Sequence, residues 1–162
     1  IDSLEAVDLQ TPGLEFLDGT YFWEGNPRYA QVNQSEHDKF YRAAVNVDAN
    51  GASVSDGKDV STYAHMFGCW ETLHIIKAGM EASDYQGPSD RAKLIEAVES
   101  MTDLPLSRAH PQGAKIFNGR THQVFGHQYI SQVQSGRLDL AHTTSIEDTF
   151  YPDEVDYTSQ SF

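Results

Sequence analysis

Seven histidines, one cysteine and a surplus of carboxylates carry the bond-making capacity of this 162-residue chain, and their spacing decides what they can do. A chelating pair on a helix needs imidazoles three or four residues apart and a third ligand, as in H-E-x-x-H. His65 and His74 stand nine apart. His122 and His127 stand five apart in a stretch that reads as a strand, and an odd spacing there puts them on opposite faces. Glu71, three residues before His74, is the one spacing that favours a polar cluster; with His65 and Cys69 it would make a small metal-dependent hydrolase. Cys69 itself lies between Gly68 and Trp70 in an apolar helical stretch and reads as a buried small hydrophobe rather than a nucleophile. There is no G-x-S-x-G elbow and no G-x-G-x-x-G or G-K-[ST] phosphate loop. Asp153 and Glu154 fall in an acidic tail and read as solvated surface. The residues therefore call for no metal and no cofactor, and carry no recognised catalytic motif.

The net charge of −13, from 24 acidic against 11 basic residues, repels phosphate and anionic lipid head groups. The basic residues are scattered singly from Arg28 to Arg137, which argues against a nucleic-acid partner. Apolar residues make up 39% and the length supports one core. A single cysteine excludes an internal disulfide, and no run of eighteen apolar residues is present. The chain opens on Ile1, and further polypeptide upstream is expected.

The elements that must position these groups follow from periodicity. A weak helical pattern covers Ser3 to Leu9. Thr20-Tyr21-Phe22-Trp23, between turn formers, reads as a short buried strand. Asn33 with Glu36 predicts a cap for a helix over about Gln34 to Val45, with Phe40, Tyr41 and Ala44 on its apolar face. An exposed loop is expected over Asp48 to Gly57. The clearest helix runs from Ser61 to Ala78, striped by Tyr63, Met66, Phe67, Trp70, Leu73 and Ile76, capped by Ser61 or Thr62 and stopped by Gly79. Another starts at Ser89 and buries Leu94, Ile95 and Val98. From Ala114 the period becomes two: a strand to Phe117, a turn at Asn118-Gly119, a long extended run over Gln123 to Val133, and a hairpin through Ser135-Gly136. The tail beyond Glu147 is expected to be loosely ordered. The order of elements is an α/β pattern.

These pieces resemble, in order, a known family: the type I periplasmic binding proteins of ABC importers, in the branched-chain amino acid, amide and urea-binding group. Gly13-Leu14-Glu15-Phe16-Leu17-Asp18-Gly19-Thr20-Tyr21-Phe22-Trp23 is similar to the family's lobe-crossing strand, and Asn33 with Phe40-Tyr41 to the helix after it. Thr62-Tyr63-Ala64, opening a helix that ends Lys77-Ala78-Gly79, is similar to the next helix. Pro111-Gln112-Gly113-Ala114-Lys115-Ile116-Phe117 with Arg120-Thr121-His122-Gln123 is similar to the late hairpin. The resemblance covers about Thr11 to Leu140. It implies the C-terminal part of a two-lobed α/β fold with Rossmann-like lobes joined by crossing strands. Residues 1–18 would end a segment of the second lobe, 19–23 and 124–130 would cross the hinge, 24–123 would complete the first lobe, and 131–162 would return to the second as an acidic tail.

What such a resemblance implies for function is capture of a small polar solute, an amino acid, amide or urea-like compound, between two closing lobes. The solute would be delivered to ABC permease subunits from a periplasmic or lipid-anchored extracytoplasmic protein. Tyr63, at a helix N-terminus that also favours a carboxylate, would border the ligand. Trp23 would supply an aromatic wall, and Glu24 a partner for a ligand ammonium or amide. The missing N-terminal part would supply the other contacts. A regulator of the same fold, sensing the ligand and signalling to a protein, is the alternative. This reading requires Tyr21–Trp23 and Val124–Ile130 to be neighbours in space.

Overall fold

The computed structural model describes residues 15–24, 35–48, 52–58, 63–152 and 155–159. The pattern at Ser3–Leu9 and the caps expected at Asn33 and at Ser61 or Thr62 lie outside them. Among the described residues there are two three-stranded antiparallel sheets and three α-helices. The first sheet has the order β1 (Tyr21–Glu24), β5 (Gln128–Gln134), β6 (Arg137–Thr144). The second has β2 (Asp103–Leu104), β3 (Lys115–Asn118) and β4 (Gln123–Phe125).

β1 lies antiparallel to β5, with Phe22 opposite Ser131 and Trp23 opposite Ile130, so the two stretches required to be neighbours meet at Trp23 and Ile130, while Tyr21 and Phe22 pair with residues just past Ile130. Only one face of β1 is buried, which corrects the expectation of a fully buried strand: Phe22 points in, while Tyr21 and Trp23 are 60% and 51% exposed. Gly19 enters the strand at φ 85°, a conformation that suits glycine, and its N–H reaches Val133 O at 2.8 Å. The β5–β6 hairpin turns at Ser135 and Gly136, as their types suggest, with φ of 52° and 75°.

The extended run expected over Gln123 to Val133, which contains the crossing expected at Val124 to Ile130, is not one strand. β4 ends at Phe125 on β3, Gly126 and His127 lie between strands, and β5 begins at Gln128 on β1. One chain segment passes from one sheet to the other, and a ladder cannot be continuous through that change of partner. Gly126 sits at the bend, where a Cβ would lie 3.5 Å from Lys115 Cγ. The Asn118–Gly119 turn is likewise longer than expected, a loop over 119–122. Asn118 Oδ1 accepts the N–H groups of Arg120 and Thr121 at 3.0 and 3.3 Å.

Helix α1 (Glu36–Ala44) is capped by Ser35, whose Oγ accepts the Asp38 N–H at 3.1 Å. Its buried face holds Tyr41 with the Asp38–Arg42 ion pair at 2.8 Å, while Phe40 stays at the rim. Tyr41 stacks on Phe67 of α2 (Tyr63–Ala82) with centroids 4.1 Å apart, and these two with Val47 form one buried core cluster. α2 continues through Gly79, the expected stop. A Cβ there would lie 2.5 Å from Val98 Cγ2, so this glycine serves close packing on α3 (Arg91–Glu99). The helix ends instead at Ala82, and Asp84 just beyond it takes φ 48° while Tyr85 N donates to Met80 O at 3.0 Å.

Three further expectations are corrected. The α2 stripe is buried at Phe67, but Leu73 and Ile76 are 66% and 44% exposed, and the charged Glu71 is buried. Cys69 is exposed. Two residues from Phe67 is roughly 200° around a helix, which turns Cys69 away from the core. The tail is tied down where it is described: Tyr157 stacks on His122 at 4.8 Å, Tyr157 N donates to Arg120 O at 2.7 Å, and Arg120 pairs with Asp156 at 3.2 Å.

Candidate ligand-binding site

The passage of the chain from β4 to β5 leaves a cleft on each side. On the β1 side a cleft of about 420 Å³ is walled by Trp23, Val124, Phe125 and Tyr151, with Asp148 and Gln128 as polar groups. Phe125 holds this wall together, meeting Phe150 and Tyr151 edge to face at 5.1 and 5.2 Å. Asp148 lies in a short helical turn over Glu147–Thr149, where its Oδ2 accepts the Ser145 hydroxyl at 2.9 Å and its N–H donates to Ser145 Oγ at 3.2 Å.

On the α2 side a cleft of about 260 Å³ lies between α2, residues 112–115 and residues 126–129. Here a buried ion pair joins the helix to the second sheet. Lys115 Nζ lies 2.8 and 2.9 Å from the two oxygens of Glu71 and also donates to Gly113 O at 3.3 Å. Burial pushes the Glu71 carboxyl above the usual carboxylate range, opposed by the Lys115 charge and hydrogen bond. Tyr129, buried beside it, is pushed up to about 12 by burial and then by the Glu71 charge, so its phenol is neutral. Nearby, His110 is buried and pushed down to about 4, first by burial and then by the charges of Lys115 and His74.

Of the residues singled out in the sequence, Trp23 lines the β1-side cleft. Glu24 ends β1 opposite Tyr129, and Tyr63 opens α2; the side chains of both lie outside the described residues. The suggested hydrolase cluster does not converge where it is described: Glu71 is held by Lys115, His74 Nδ1 lies 2.8 Å from Trp70 O, and Cys69 is exposed. The side chain of His65 lies outside the described residues. Sequence reasoning missed Lys115 and Gln128 as lining groups and placed Glu71 in the hydrolase cluster instead. A signal for Glu71 was present, since it stands four residues after Phe67 on the buried stripe of α2, a place where a charge needs a partner.

A mixed α/β fold with two antiparallel sheets bridged by one switching segment matches part of the periplasmic-binding-protein architecture. Among solved structures the chain is similar to a leucine-binding protein, LivK, from Thermotoga maritima, with a TM-score of 0.60 and 13% sequence identity. The match covers 88% of this chain and 35% of that one, so the chain spans about a third of the length of that protein. No protein-family model and no curated protein matches the sequence.

Proposed function

We propose that this chain is the C-terminal part of an extracytoplasmic solute-binding protein that captures a small polar solute between two lobes and hands it to the permease of an ABC importer. The observation that carries this reading is the pairing of β1 with β5, next to the point where one segment leaves the second sheet for the first. Two adjacent crossings are what a hinge between lobes requires. The fold-level likeness to a leucine-binding protein supports the same assignment. In it, residues 19–23 and 124–130 cross the hinge, 24–123 complete one lobe, and 1–18 and 131–162 belong to the other. Remaining ligand contacts come from polypeptide outside this chain.

Trp23, Glu24 and Tyr63 are the ligand-contacting residues in this proposal, with Trp23 as the aromatic wall that excludes water from the solute. Binding favours the closed form by differential affinity, and no covalent step is involved. The test is calorimetric titration and thermal shift of the protein against amino acids, amides and urea. At least one class is expected to raise the unfolding temperature, and Trp23→Ala is expected to weaken its binding about tenfold or more, close to 1.4 kcal/mol. Binding that is unaltered by Trp23→Ala would remove Trp23 from the site, and no response to any of these solutes would remove the solute class.

A further inference from the structure

Gln128, the first residue of β5, lines both clefts. Its Nε2 lies 3.5 Å from Gly126 O, which can only accept, and this sets the amide with its nitrogen toward that carbonyl. Oε1, on the other side of the amide, is buried and has no hydrogen-bond partner among the described residues. A buried carbonyl oxygen left in this way is destabilising, and native proteins hold such groups where something else completes them. His127, next to it and lining the α2-side cleft, bonds through Nδ1 to Thr144 O at 3.0 Å. Because that oxygen only accepts, Nδ1 is the nitrogen that carries a proton in this bond.

The charged groups of the same cleft are already committed. Lys115 places its ammonium against both Glu71 oxygens and Gly113 O, and Glu71 Oε1 also receives the Gln112 N–H at 3.5 Å. The pair is locally neutral and has no surplus charge with which to compensate an ion. A carboxylate entering here would meet no uncompensated cation, and an ammonium would find the lining carboxylate of Glu71 neutralised. The lining thus offers an unused acceptor at Gln128 and the hydroxyls of Thr72 and Tyr129, without a net charge.

We infer that the α2-side cleft takes a small uncharged solute rich in N–H or O–H donors, and that Gln128 Oε1 is the acceptor that holds it. This rests on the solute-binding reading and places the polar anchor at a residue with no role in it so far. Acetamide and erythritol are the donor-rich probes, one nitrogen-based and one hydroxyl-based, and acetate is the acceptor-only control, each titrated calorimetrically into the protein. One of the first two is expected to bind at least tenfold more tightly than acetate. Gln128→Leu is expected to weaken that binding about tenfold or more without lowering the thermal midpoint, because the variant also removes the unpaired oxygen. Gln128→Glu supplies an uncompensated carboxylate and is expected to shift preference from acetamide to methylammonium. Acetate binding as well as the neutral probes, or affinity unchanged in both variants, overturns the inference. If amino acids bind in a Trp23-dependent way while Gln128→Leu has no effect, the solute-binding reading stands and this inference falls. If no probe and no amino acid binds, both fall.

Discussion

His110 shows how one side chain can set the acid response of this molecule. It is buried, its Nδ1 has no partner among the described residues, and its pKa lies at about 4 against an ordinary 6.5. The unfolded chain therefore binds a proton that the folded chain refuses. The stability His110 contributes is fully present above pH 6.5 and is lost as pH falls toward 4, by roughly 3 kcal/mol at about 1.4 kcal/mol per unit. Glu71 acts in the opposite sense: with its pKa raised by burial, its contribution is present below the ordinary carboxyl value and lost as pH rises through the folded one. Urea unfolding followed from pH 7 to 4 should show a falling midpoint in the native protein and a much flatter profile in His110→Phe; equal slopes would put the acid sensitivity elsewhere. Little of this was legible in the sequence. Nothing in the series Ser107-Arg108-Ala109-His110-Pro111 marks a buried imidazole, because its burial comes from elements far along the chain. Glu71 was readable as a charge on an apolar stripe, and its partner Lys115, 44 residues away, was not.

At the scale of elements, two glycines carry packing that a turn-based reading assigns to chain reversal. A Cβ at Gly119 would lie 1.9 Å from the backbone oxygen of Glu99, whereas at Gly79 it would meet the ends of Val98 and Leu94, at 2.5 and 3.1 Å. Backbone cannot swing aside as a side chain can. Gly119→Ala should therefore destabilise by about 2–3 kcal/mol, and Gly79→Ala by less, since its clash is partly offset by about 1 kcal/mol of helix propensity. Chemical denaturation of the two variants checks the order. These cases also explain which boundaries could be read. The Ser135-Gly136 hairpin and the body of α2 follow from local chemistry and were legible. The continuation of α2 past Gly79 and the break at Gly126-His127 depend on a neighbouring helix and on a change of sheet, and no local pattern encodes either one.

The whole molecule is joined by contacts between parts distant in sequence, and its acidic end is one of them. Tyr157 on His122, Asp156 on Arg120 and the Tyr157 N–H on Arg120 O fasten residues 155–159 to the β3–β4 loop, and His122 Nε2 lies 2.7 Å from Glu99 Oε1. Composition alone suggested a loose tail, because four acids beyond Glu147 and no base offer it no ion pair of its own; the basic and aromatic partners come from the loop instead. Truncation after Pro152 removes one exposed pair and one ring contact and should lower the urea midpoint modestly, the ring contact counting for more than the solvent-screened pair. An unchanged midpoint would make the fastening cosmetic. The α/β class and the adjacency of β1 to β5 were legible from the order of the elements, whereas the division into two sheets was not. The two tryptophans, finally, sit in unlike surroundings: Trp23 is half in water on β1, and Trp70 is half-buried, its indole N–H on Arg108 O at 2.8 Å and its ring against Tyr41. The molecule thus contains two native fluorophores of different colour, one beside the sheet switch and one in the helical core, so that emission can distinguish a movement at the first from a loosening of the second without any added dye.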